Sequence, residues 1–183
     1  MEAATEVFLE HGYGASVDML VQRAGVARQT FYNHFHNKES LFAEAMRHCV
    51  SEVMGLLDGH AGDVRATLLE FARAYRQRVL SPQSIAKFRI ITAQAQRFPE
   101  LTGEDYAQGL GKMLKRLAEF LRAAMDEGHL RRDDPDFAAE MLLSMLAGMD
   151  RARLLFGVAN PAYDEAARVQ AIVDGFLRMF ARG

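Results

Sequence analysis

Apolar residues recur three and four positions apart along nearly the whole chain, and no run alternates polar with apolar as a half-buried strand does. The pattern predicts an all-α fold, cut by caps and turn residues into about nine helices. Helix one spans Glu2 to Glu10, with Ala4, Val7 and Phe8 on one side, and closes near Gly12. Helix two spans Val17 to Ala24. Ser16 precedes it, and a hydroxyl there can accept from a free N–H of the first turn. Gly25 ends it, and helix three spans Arg28 to Phe35. Asn37 is a good N-cap for helix four, which runs toward Leu57.

A second region follows. Gly59, Gly62 and Asp63 mark a turn before a helix from Val64 to Val79. Ser81-Pro82 places a cap before proline at the first helical position, and that helix stops at about Arg97, before Pro99. Thr102 with Asp105 three residues on resembles a capping box. It opens a helix to Glu127, closed by Gly128. Asp134-Pro135 and Asn160-Pro161 open the last two helices, over Pro135 to Phe156 and Pro161 to Ala181. Val169, Ile172, Val173, Phe176, Leu177 and Phe180 form an unbroken stripe on the last one. Phe137 to Met149 is apolar nearly all round, Glu140 being its one charge. Such a helix needs more than one neighbour. Both helices could simply be core; in a chain this short, the second neighbour is more often another copy. The division is an N-terminal three-helix domain over 1–46 and a C-terminal helical domain over 47–183.

Composition narrows the function. With 183 residues, half of them hydrophobic, a packed core needs no staples, and the net charge of −2 is not that of a general polyanion binder. A nucleic-acid site must then be a local patch. Cys49 is the single cysteine, so there is no internal disulfide, which suits a reducing cytoplasm. Met141 to Met149 is far too short to span a membrane, and no basic-then-apolar leader opens the chain.

The patch is in AGVARQTFYNHFHNKESLF, Ala24 to Phe42. On helix three, Phe31 and Phe35 are one turn apart and can be buried together. Gln29 with Asn33, Arg28 with Tyr32, and Thr30 with His34 then point outward. Two short helices joined by a tight turn containing Gly make a helix-turn-helix. Its second helix fits the major groove, where Gln and Asn pair with base edges and Arg reaches guanine or phosphate. From Met19 to Lys38 the charges are Arg23, Arg28 and Lys38, with no Asp or Glu. Asn37 and Lys38 also start a helix whose N–H groups suit a phosphate. Helix-turn-helix shapes also occur in proteins that never touch DNA. His34 and His36 are two apart, on nearly opposite sides of a helix, with no third ligand nearby, so no metal site is expected.

The stretch GYGASVDMLVQRAGVARQTFYNHFHNKESLF resembles the DNA-binding domain of the TetR family of bacterial transcriptional repressors. The match covers about Ala3 to Met46, and RFPEL, Arg97 to Leu101, resembles a common subgroup of the family's C-terminal domains. The resemblance implies an Ω-shaped homodimer joined through the last two helices, with each helix three in a major groove. It implies a cavity in the C-terminal domain whose ligand controls the spacing of the reading heads. Carried onto this chain, Gln29, Thr30 and Asn33 face bases, Arg28, Tyr32, His34 and Lys38 contact phosphates, and Ser16 sits among the DNA-facing positions. Gly25 makes the turn, and Phe31 and Phe35 anchor the helix. Three departures stand out. The basic arm that precedes helix one in the family is missing here, the Gly12 to Gly25 connection is one residue shorter than usual, and Ala27 replaces a capping serine.

These features point to a DNA-binding transcriptional regulator, a repressor released by a small-molecule effector. The alternative is a helical dimer that binds a small molecule or protein and carries a degenerate DNA-binding head. An enzyme is not expected. Ser81, Ser84 and Ser144 have no nucleophile-elbow setting, and there is no glycine-rich phosphate loop and no HExxH. Asp133, Asp134 and Asp136 read as a cap and a turn. Cys49 has His48 beside it in sequence, about a hundred degrees away around a helix. No cofactor is implied. An apolar or amphipathic effector is expected. Met113, Met125, Met141, Met145 and Met149 are flexible core rather than a pocket, while Tyr75, Thr92, Gln94, Tyr106 and His129 are polar groups that could line a cavity.

Overall fold

The structure is a computed structural model and describes residues 2–47, 51–58 and 63–181. Among these residues all regular structure is helical. The chain folds into two compact units. One holds Met1–Cys49 with Ala86–Gly109, and the other holds Val50–Ile85 with Leu110–Gly183.

The first unit begins with α1 (Glu2–His11), which buries Val7 and Phe8. Gly12, at φ +63°, ends it in a left-handed turn that an L side chain rarely adopts, and a 3-10 turn follows at Gly12–Gly14. Helix α2 (Val17–Ala24) is capped by Ser16, whose hydroxyl accepts from the Met19 amide at 3.2 Å. Gly25, at φ +66°, closes α2, and its N–H donates to Gln22 while Val26 N–H donates to Val21. After α3 (Arg28–His34), Phe35 is already extended, one residue earlier than the pattern predicts. Asn37 caps α4 (Lys38–Arg47): its side-chain oxygen accepts from the Ser40 amide at 2.8 Å. Phe8 meets Phe42 edge-on at 5.0 Å, and Leu20, Phe31 and Leu41 complete this core. Ile90, Ile91 and Phe98, from the later segment, pack against it.

The second unit contains α5 (Ser51–Gly55), α6 (Val64–Val79), α9 (Lys112–Asp126), α10 (Pro135–Leu155) and α11 (Glu165–Met179). Leu68, Phe71, Leu117, Leu121, Leu142, Leu146, Val173 and Phe176 fill its core. Asp63 caps α6 by accepting from the Ala66 amide; the expected turn residues Gly59 and Gly62 lie outside the described residues. Helix α7 (Pro82–Gln94) starts in this unit, behind the Ser81 cap, and crosses into the first. There α8 (Pro99–Tyr106) follows, and a π turn (Ala107–Gly111) comes between it and α9 in sequence.

Two helix starts differ from the sequence expectation. Thr102 is not a cap: it lies inside α8, with its hydroxyl donating to the Phe98 and Pro99 carbonyls. The start falls at Pro99, whose fixed φ suits the first turn and whose missing N–H needs no partner there. Helix α11 begins at Glu165 and not Pro161. Asp164 is its cap, accepting from the amides of Ala166 and Ala167. The segment before it stays out of the helix, and Tyr163 reaches a buried ion cluster. In that cluster Arg76 and Asp150 are both almost wholly buried. Arg76 donates to Asp150 at 3.0 Å, to Tyr163, to Glu165 and to the Leu146 carbonyl. Asp150 also accepts from Tyr163, Arg153 and Arg168. Desolvation is the largest influence on the Asp150 carboxyl and pushes it upward. The hydrogen bonds from Arg76 and Tyr163 and the charges of Arg168 and Arg76 together outweigh it, leaving the group below the usual carboxylate range.

Candidate nucleic-acid interface

The candidate interface is built on α3. Phe31 is 5 % exposed and fixes the helix on the core, with Phe35 half-buried beside it at 5.9 Å between ring centroids. That anchoring turns Arg28, Gln29, Tyr32, Asn33 and His34 to the surface, with Thr30 half-buried at its margin. The Gln29 amide nitrogen donates to the Asn33 side-chain oxygen at 3.2 Å. Ala27 is in the N-cap position with extended backbone and no side-chain bond to offer. Ser16 uses its hydroxyl on α2.

The positive stripe has a different character in three dimensions. Arg23 is bound by Glu10 at 2.8 Å and by Glu6 at 3.3 Å, both on α1. Arg28 pairs with Asp18 at 2.9 Å and lies 6.0 Å from the Tyr32 ring centroid. Lys38 donates to the carbonyls of Tyr13 at 2.9 Å and Ala15 at 3.2 Å, and its ammonium sits 4.3 Å from the Tyr13 ring centroid. Neutral carbonyls do not cancel the charge of Lys38, and an ammonium keeps a third donor. The two arginines, in contrast, meet carboxylates. Sequence separation hid Glu6 and Glu10, which come from another helix. Asp18 stands one residue outside the charge window and was legible there.

Tyr13 organises the rear of this unit. Its hydroxyl donates to Glu39 at 2.5 Å, and its ring contacts Phe42 and Phe98. Arg97 lies over both Tyr13 and Phe98. Burial first, and the bond to Glu39 second, push the Tyr13 hydroxyl well up; the same bond holds Glu39 below its ordinary range. None of this was visible in sequence.

His34 and His36 are exposed, and among the described residues no group of three His, Cys, Asp or Glu could hold a metal ion. Asp134 caps α10, and Asp133 pairs with Arg131. Met113 and Met125 are buried core, whereas Met145 and Met149 are exposed on α10. Tyr75 is buried against Phe71, Thr92 bonds back within its own helix, and Tyr106 is exposed. His48 and Cys49 lie outside the described residues. No helix among the described residues is long and apolar enough to cross a membrane.

A short capped helix, a left-handed glycine turn and a second helix with exposed hydrogen-bonding residues define a helix-turn-helix transcriptional regulator. Residues 1–45 match the model for bacterial regulatory proteins of the tetR family, and residues 66–182 match that for the C-terminal domain of AefR-like transcriptional repressors. The chain belongs to the TetR family, whose members bind operator DNA and dimerise. It is 27% identical to the transcriptional regulator YdgC of Bacillus subtilis (strain 168), over 97% of this chain and 90% of that one. A TetR-family regulator from Mesorhizobium loti MAFF303099 superposes with a TM-score of 0.88 at 27% identity, covering 99% of this chain and 94% of the other. The flavonoid-responsive regulator FrrA superposes at 0.77 with 29% identity, covering 100% and 95%.

Proposed function

We propose that the chain is a cytoplasmic, non-enzymatic repressor that binds operator DNA through 1–46 and is released by an effector bound within 47–183. The observation that carries the reading is the exposed face of α3, where Gln29 and Asn33 lie on the side away from the buried Phe31. Gln29, Thr30 and Asn33 face bases. Arg28, Tyr32, His34, Lys38 and Ser16 face the backbone, where contacts fix position rather than sequence. The effector is an apolar or amphipathic small molecule. Its class is supported by the name of FrrA, a regulator that responds to a flavonoid.

The working unit is a homodimer joined through α10 and α11. Phe137, Met145 and Met149 are exposed on α10, with half-buried Met141 completing a ridge at intervals of four, and Met179 is exposed on α11. Ridges of this spacing are what helices pack into one another's grooves.

A second reading keeps the dimer and drops the DNA. It is favoured by one observation, the engagement of Arg23 and Arg28 by carboxylates of the same unit. A fluorescence-anisotropy titration at two salt concentrations, against DNA from upstream of the gene and a scrambled control, separates the two. Tight, salt-sensitive preference for the native DNA is expected. Equal or absent binding to both would favour the second reading. Within the first, Asn33→Ala alters sequence preference, while Lys38→Ala weakens binding to every sequence and flattens the salt dependence.

A further inference from the structure

The exposed side of α3 carries amides where a guanine-reading helix carries a free cation. Gln29 and Asn33 are exposed one turn apart and joined by a hydrogen bond. So joined, they still offer the Gln29 oxygen as an acceptor and the Asn33 nitrogen as a donor. In the major groove an adenine edge presents one donor, N6, and one acceptor, N7. A guanine edge presents two acceptors, O6 and N7, which a guanidinium or ammonium satisfies with two parallel donors. The one guanidinium on α3 belongs to Arg28. It is turned toward Asp18 on α2 and lies against Tyr32. Swinging it into the groove would leave the Asp18 carboxylate without its partner beside a polyanion.

We propose that α3 reads adenine: Gln29 and Asn33 act as one composite amide on a single adenine of each half-site, and Asp18, by pairing with Arg28, biases that position against guanine. The proposal rests on the DNA-reading function proposed above and adds the base that is read and a residue, Asp18, that sets the choice without touching it. An amide pair on a helix can also be mere surface support. The two roles separate in the coupling, because a surface pair moves helix stability and leaves base preference alone.

The test uses the full-length chain to select duplexes from a random-sequence pool. Each adenine of the enriched half-site is then replaced by 7-deazaadenine and each guanine by 7-deazaguanine, which removes N7 alone. One adenine should show a loss of roughly tenfold on this change. Asn33→Ala should abolish that sensitivity by removing the donor to N7, Gln29→Ala should relax the preference for adenine at the same base pair, and the two losses should not add. Asp18→Asn should admit guanine at the same position. The proposal is overturned if the largest N7 effect falls on a guanine and disappears in Arg28→Ala. It is equally overturned if Gln29→Ala and Asn33→Ala shift preference at different base pairs. A pool from which the unaltered protein enriches nothing would sink the DNA-reading function itself, and this inference with it.

Discussion

Asp18 holds the guanidinium that α3 carries. Its carboxylate lies 2.9 Å from Arg28, on an exposed surface where ion pairs are weak and exchange partners readily. On the proposed function, operator phosphate and Asp18 therefore compete for one guanidinium. Asp18→Asn should strengthen binding to all duplexes and steepen the plot of log K against log salt by about one phosphate's worth, a slope change near 0.9. Anisotropy titrations over a salt series measure both. An unchanged slope would mean that Arg28 reaches no phosphate even when released. The same residue shows what sequence hides. The charges from Met19 to Lys38 are all positive along the chain, but the partners of Arg23 come from α1 and that of Arg28 from the first turn of α2. A charge window in sequence measures composition, whereas affinity depends on which charges remain after folding.

Helix ends show the complementary case. Ser16, Gly25, Asn37, Ser81 and Asp134 were legible because capping and left-handed turns are settled within four or five residues. Thr102 and Pro161 were misplaced because each had a rival start nearby, at Pro99 and at Asp164. In the second instance the intervening Tyr163 is bonded to Asp150 and Arg76, partners far away in sequence. Ala27 is a legible weakness. Its backbone is extended as an N-cap requires, and its side chain accepts nothing. Ala27→Ser should stabilise the first unit by about 1 kcal/mol, seen as a raised denaturation midpoint; no gain would show that water already serves that N–H. Asp150 is the opposite, an illegible strength that follows directly after the apolar run of α10. Asp150→Asn removes the buried one of the two carboxylates that pair with Arg76, leaving the exposed Glu165, and should cost up to roughly 3 kcal/mol. Because folding depresses the Asp150 carboxyl, its contribution is complete above the unfolded value of 3.8 and fades as pH falls through the folded one. Acid titrations of stability should lose part of their slope below that point in the variant. An unaltered acid limb would assign the slope to other carboxylates, Glu39 among them.

At the scale of the molecule, the sequence made the last two helices suspicious by their excess of apolar residues, and the fold divides that excess. Ala138, Ala139, Leu142, Leu143, Leu146 and Ala147 go inward, leaving Phe137, Met145 and Met149 outside, Met149 at 65 % exposure. Exposed apolar residues scattered singly need no partner, but a ridge along one helix does. A charge on that ridge would have to be desolvated on association, a cost that packing methionine does not incur. Met149→Glu should therefore give a chain of monomer mass in light scattering, where the unaltered chain should give twice that mass. Its folding should be untouched, since the side chain contributes nothing to the core of its own unit. Two linked reading heads gain their affinity from acting on one duplex together, and a monomer forfeits that gain. Binding to a duplex with two half-sites should fall on the order of a hundredfold or more, while binding to an isolated half-site stays as it was. A variant that remains dimeric would move the interface off this ridge. A monomer that keeps full affinity for the double site would show that each head binds its half-site unaided.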